Sequence, residues 1–235
     1  TGECGEDAVW SLSENGRLTV SGSGAMSDFT YDTVPWKEYA SAINNVIIDE
    51  GITTIGDFAF QLCENMAYVM TGSSIEKIGY KAFYRCENIL MAEIPGFIDE
   101  IGSYAFAFCK ELEFDPKTIS ARCIGSYAFF GCDAFTTLRI SEGCEEIGAY
   151  AFVNCPLDDK IDLPSSVKKI GDRALGYILL DGRYIRSYLF TIYGEYGGAA
   201  WDYANKNDFE FIRTDRHECS SICPVCGNCT DYTCV

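Results

Sequence analysis

The sequence predicts a solenoid: six coils of 23 residues, each a short strand plus a return arm, closed at both ends by segments of different design. Two observations carry this. The nonapeptide IGDFAFQLC at Ile55 recurs as IGYKAFYRC, IGSYAFAFC, IGSYAFFGC, IGAYAFVNC and IGDRALGYI at Ile78, Ile101, Ile124, Ile147 and Ile170, always 23 residues on. Aligning the units also lines up apolar residues. Val46, Val69, Ala92, Leu138 and Ile161 form one column, and Ile48, Ile94, Ile140 and Leu163 form another two residues later. Spacing of two with β-branched preference marks a strand whose alternate side chains point inward.

Residues 1–42 do not repeat and read as an N-terminal cap. Ala8–Leu12 and Arg17–Val20 alternate apolar and polar around Asn15-Gly16, a hairpin that would bury Trp10, Leu12, Leu18 and Val20 on one face. Ser21-Gly22-Ser23-Gly24 reads as a turn, and Pro35–Ala40 as a short helix with Pro in its first turn.

Residues 43–180 hold the six coils. A third apolar column, Ile52, Ile75, Ile98 and Val167, precedes the Ile-Gly motif, whose glycine permits positive φ or close approach between coils. Phe60, Phe83, Phe106, Phe129 and Phe152 would stack through the core, with Leu175 in the sixth coil. Each buried Phe contributes about 1.5–3 kcal/mol. Cys63, Cys86, Cys109, Cys132 and Cys155 read as reduced apolar fillers, because Ile178 takes their place in the sixth coil. The fourth coil places Asp115 and Lys117 where apolar strand residues belong, which predicts a bulge or a shifted register there.

Residues 181–212 read as a C-terminal cap with strands at Phe190–Gly194 and Phe209–Ile212 around a helix at 198–207. Residues 213–235 form a cysteine-rich tail. Its Cys223-Pro224-Val225-Cys226-Gly227 has the knuckle shape that delivers two thiolates to zinc or iron, with a second ligand pair from Cys229 and Cys234 or from His217 and Cys219. Disulfides and a disordered thiol-bearing stub are the competing readings. No other cofactor is expected.

Composition narrows the function. Formal net charge is −17, from 35 acidic against 18 basic residues, which argues against nucleic acid and anionic membranes as partners. No apolar run of 18 residues offers a membrane span. The chain begins at Thr1 rather than Met, as expected of a processed or trimmed chain, and its end at Val235 suggests further sequence. The only histidine is His217, outside the repeats, so a Ser-His-Asp or Cys-His site has no base there and no enzyme is expected. Asp49/Glu50, Asp99/Glu100 and Glu145/Glu146 read as solvated edges in turns after strands.

A solenoid binds partners through the strand residues that alternate with the buried ones. Here Tyr68, Met70, Met91, Glu93, Phe114 and Arg139 are the candidate binding residues, with Tyr68, Met70, Met91 and Phe114 forming an outward apolar patch. A further column on the return arm, Phe58, Lys81, Tyr104, Tyr127, Tyr150 and Arg173, reads as partly buried packing.

The coil pattern resembles the bacterial BspA-type leucine-rich repeat. Ile161-Asp162-Leu163-Pro164-Ser165-Ser166-Val167-Lys168-Lys169-Ile170-Gly171 and Ala92-Glu93-Ile94-Pro95 to Ile101-Gly102 carry the resemblance. So do Cys4–Leu12, Gly22–Met26 and Val34-Pro35-Trp36 before the coils, and Thr191–Gly194, Tyr203-Ala204 and Asn207 after them. The resemblance implies an α/β solenoid, a leucine-rich repeat of six 23-residue coils with non-repeat N- and C-terminal caps. It further implies a secreted or cell-surface bacterial protein that recognises a host or matrix protein or glycoprotein in adhesion. A metal or redox role for the tail, or a passive surface spacer, are the alternatives.

Overall fold

Successive Ile-Gly motifs lie side by side. The computed structural model describes residues 1–114 and 118–215. In it Ile55, Ile78, Ile101, Ile124, Ile147 and Ile170 pair in parallel, each with the next. Their strands, Ile52–Ile55, Lys77–Ile78, Ile98–Ile101, Ala121–Ile124, Glu146–Ile147 and Lys169–Ile170, form a back sheet. The expected strand columns form the front sheet, from Asn45–Ile48, Tyr68–Thr71, Met91–Glu93 and Glu113–Phe114, also parallel. Turns connect the two sheets. Among the described residues the coils carry no α-helix, and the helical content of the solenoid sits in its caps.

The core is a set of columns that repeat from coil to coil. Phe60, Phe83, Phe106, Phe129 and Phe152 are fully buried, with neighbouring centroids 4.9–5.4 Å apart and planes within 15°. Trp36 extends the stack by one ring, 5.3 Å from Phe60, and donates its indole N–H to the Ala59 carbonyl at 2.8 Å. At the other end Leu175 is buried under Tyr203, whose hydroxyl bonds both backbone groups of Leu175. The Ile52, Ile75 and Ile98 column continues through Ala121 and Cys144 to Val167, all buried. Cys144, with no place in the repeat on sequence grounds, is therefore a core residue.

The motif glycines serve close approach rather than positive φ. A Cβ on Gly102 would lie 2.7 Å from the Gly79 backbone, so a side chain there forces the coils apart. Positive φ falls two residues later, at Phe58, Lys81, Tyr104, Tyr127, Tyr150 and Arg173.

The column cysteines are free and buried, and they do more than fill space. Cys86, Cys109, Cys132 and Cys155 each donate their S–H to the carbonyl of the Phe 26 residues earlier, at 3.0–3.2 Å. Burial pushes the Cys63 thiol up to about 12 and raises Cys86, Cys109 and Cys132 as well.

The caps extend the sheets. The N-terminal hairpin pairs Gly5–Leu12 with Arg17–Met26, with Trp10 opposite Val20 and Leu12 opposite Leu18. Ser21–Gly24 is no turn: it lies inside the second strand, which joins Asn45–Ile48 on the front and then Ile52–Ile55 on the back. Gly22 and Gly24, both at positive φ, let one strand serve both sheets. The expected short helix forms as a 3₁₀ turn, Lys37–Ala42. At the far end Lys160–Asp162, Thr191–Gly194 and Glu210–Arg213 continue the front face in parallel, and the helix Ala199–Lys206 covers the solenoid end.

Of two expectations that bear on register, one fails and one holds. After Gly176 the chain leaves the coil path as an antiparallel hairpin, Tyr177–Leu180 with Arg183–Arg186. Ile178 lies on its outer side at 44% exposure and does not fill the cysteine column. In the fourth coil Glu113 pairs with Met91 and Phe114 with Ala92, one position out of step. Where Ile119 bridges Ile140 the offset is two positions in the opposite sense, and it is gone at Ala121, which pairs normally with Ile98. This confirms the expected shift. Asp115 and Lys117 lie outside the described residues.

Phe106→Ala should cost about 3–5 kcal/mol in urea denaturation, because rings above and below hold the cavity open. Alkylation of the native protein followed by peptide mapping should label half-exposed Cys123 while Cys63, Cys86 and Cys109 stay unmodified until denaturant is added.

Candidate binding face

Which surfaces are free to bind follows from which ladders satisfy themselves. On the back sheet, charges one coil apart pair off: Lys77 with Glu100 at 3.0 Å, Arg122 with Asp99 at 3.2 Å, Lys168 with Glu145 at 2.9 Å, and Lys169 with Glu146. Asp99, Glu100 and Glu146 thus stand on strands rather than in turns. Hydrogen bonds from Ser73 and Ser74 hold the Glu50 carboxyl below its usual range. On the return arm Tyr104, Tyr127 and Tyr150 stack at 4.7 and 4.8 Å, partly buried as expected. The Lys81 ammonium lies within 5.0–5.7 Å of four ring centroids at one end. At the other, Arg173 donates to the Tyr150 hydroxyl at 3.0 Å.

The front face is different. Tyr68 pairs with Met91 and Met70 with Glu93, so four of the six expected residues form one outward patch. Tyr68 and Met70 are 44% and 46% exposed, while Val69 between them is fully buried. Together with Asn45 and Ile47 they line a hollow of about 180 Å³. Arg17 also lines it, a residue sequence reasoning missed because it treated the N-terminal hairpin as a separate cap. The signal was the alternation of Arg17-Leu18-Thr19-Val20, which matches Asn45-Val46-Ile47-Ile48 position by position.

Arg139 is not part of this patch. It lies toward the C-terminal end with Thr137, Asp158, Lys160, Asp162 and Tyr193, around a second hollow of about 360 Å³. Sequence reasoning missed Asp158 and Tyr193. Tyr193 reaches the face because its cap strand pairs in register with Asp162. Phe114, expected beside Met91, pairs instead with Ala92, and the shifted register of the fourth coil is the reason. Cys219, Cys223, Cys226 and Cys229 lie outside the described residues. Among the described residues no helix is long and apolar enough to cross a membrane.

These features define a parallel β-solenoid with a leucine-rich type of coil and one open face. A family model for the BspA type leucine rich repeat region matches six copies over residues 38–115 and 116–192. The chain belongs to the BspA-type leucine-rich repeat family. A leucine-rich repeat protein from Eubacterium ventriosum ATCC 27560 is 25% identical with a TM-score of 0.51, over 81% of this chain and 42% of that one. The chain thus spans under half the length of that relative. The leucine rich repeat protein of T. pallidum is 15% identical with a TM-score of 0.49, over 73% of this chain and 82% of that one. A leucine rich cell surface protein from Faecalibacterium prausnitzii A2-165 is 18% identical with a TM-score of 0.37, over 77% of this chain and 57% of that one. No curated protein matches.

Outward and inward positions alternate here, so neighbouring substitutions should diverge. Tyr68→Glu and Met70→Glu should shift stability by no more than about 0.5 kcal/mol. Val69→Glu, which buries an unpaired carboxylate, should abolish the cooperative thermal transition.

Proposed function

We propose that this chain is a protein-binding module that seats a protein or glycoprotein ligand on the N-terminal half of its front face. The observation that carries the reading is the exposed pair Tyr68 and Met70, which stands over Met91 and Ile47 on a rigid parallel sheet. Exposed contiguous apolar side chains mark interaction surfaces, and Tyr and Met are among the residues enriched at interface cores. Rigidity adds to this, since strands locked by the core below lose little freedom on binding. Family membership supports a binding role, and a secreted or surface-displayed adhesin of host or matrix proteins is the specific form we infer. The charge of −17 favours a neutral or cationic partner surface over nucleic acid. We read the repeats as non-catalytic.

The test is a binding screen of the purified chain against extracellular-matrix and mucosal glycoproteins, with Tyr68→Ala/Met70→Ala in parallel. Saturable binding that the double variant loses, at an unchanged melting temperature, is the expected result. Binding that the variant retains would move the site elsewhere.

A further inference from the structure

The second hollow of the front face poses a separate question of charge. On the back sheet, opposite charges one coil apart close into ion pairs. Arg139 and Asp162 are likewise of opposite sign and one coil apart, and Lys160 is beside them. Yet among the described residues the side chains of Arg139, Lys160 and Asp162 make no ion pair and no hydrogen bond, whereas Asp158 accepts only from the Thr137 hydroxyl, at 3.2 Å. The hollow thus presents a free guanidinium, a free ammonium, two carboxylates and the half-buried ring of Tyr193.

We propose that this hollow binds an acidic sugar, a pyranose carrying a single carboxylate. Each lining group matches one feature of such a ligand. The planar guanidinium of Arg139 takes a carboxylate through two parallel hydrogen bonds, and Lys160 adds a point charge. Asp158 and Asp162 are acceptors for sugar hydroxyls, and Tyr193 offers an apolar surface with a polar tip to the ring's C–H face. Competing ligands fit worse. An acidic peptide brings carboxylates without hydroxyls and is repelled by Asp158 and Asp162. A polyanionic glycan meets a chain of net charge −17. A volume of about 360 Å³ suits a small ligand rather than a folded partner. The site is independent of the Tyr68 patch.

The experiment is a calorimetric or ligand-observed NMR titration of the full chain with the methyl glycosides of glucuronic acid and N-acetylneuraminic acid. Their uncharged methyl esters and a short polyglutamate peptide serve as controls. Saturable binding of at least one acid, with its ester bound about tenfold or more weakly, is expected. Arg139→Gln should weaken binding by about ten- to hundredfold and Arg139→Lys by less, at unchanged melting temperature. Tyr68→Ala/Met70→Ala should bind the sugar normally, which separates this site from the protein-binding one. The proposal is overturned if neither acid binds, if esters bind as well as acids, if polyglutamate binds as tightly, or if Arg139→Gln has no effect.

Discussion

Outside the shifted front strand of the fourth coil, the paired residues of one coil meet their own counterparts in the next at the distance between neighbouring strands, roughly 4.8 Å. This repeat distance is the constraint the rest of the molecule answers to, because like must tolerate like at each position. Phenylalanine does so by parallel stacking, with ring centroids 4.9 Å apart between Phe83 and Phe106. Glycine does so by having no side chain where Gly79 and Gly102 backbones meet. The thiols of Cys86, Cys109 and Cys132 are satisfied by a carbonyl of the previous coil rather than by one another. Charge cannot repeat without repulsion, and the back sheet alternates it: Lys77 beside Glu100, and Glu146 beside Lys169.

The same constraint separates surfaces that can bind from those that cannot. A ladder that pairs with itself has spent its capacity, as the back-sheet charges and the return-arm tyrosines have. The front face escapes because its outward columns do not repeat. Ile47, Met70 and Glu93 pair in succession toward one end, Asp162 pairs with Tyr193 beside Arg139 toward the other, and together they offer apolar, charged and aromatic groups. Its two hollows differ accordingly, the N-terminal one apolar and the C-terminal one mixed in charge. The irregular fourth coil stands between them.

What the sequence made legible was whatever the stacking distance enforces. The Ile-Gly, Phe and Cys columns could be read directly, since burial permits few substitutes at a position that recurs every 23 residues. The patch of Tyr68, Met70, Met91 and Glu93 followed from simple alternation with those columns. Phe114 was misplaced because Ile101 and Ile124 keep the full 23-residue step around it: the register runs one position early at Glu113, two positions late at Ile119 and is restored at Ala121, and spacing alone cannot reveal a compensated slip. Ile178 misled for a related reason. Its apolar character fits the column, but the chain turns away after Gly176 into a hairpin whose inner face, Tyr177, Leu179 and Tyr184, packs against the aromatic return arm. Arg17 and Tyr193 went unnoticed because both caps extend the sheet through pairing that no repeat announces.

If stacking at a fixed step governs the fold, the coils must behave as one cooperative unit rather than as separable turns. Native-state hydrogen exchange reads this directly through amides that bond between coils, such as Gly102 to the Ile78 carbonyl, Phe106 to Ala128 and Phe129 to Ala151. The account predicts that these amides exchange with a common free energy equal to that of global unfolding. Amides of the first or fifth coil that open independently and well below that value would contradict it.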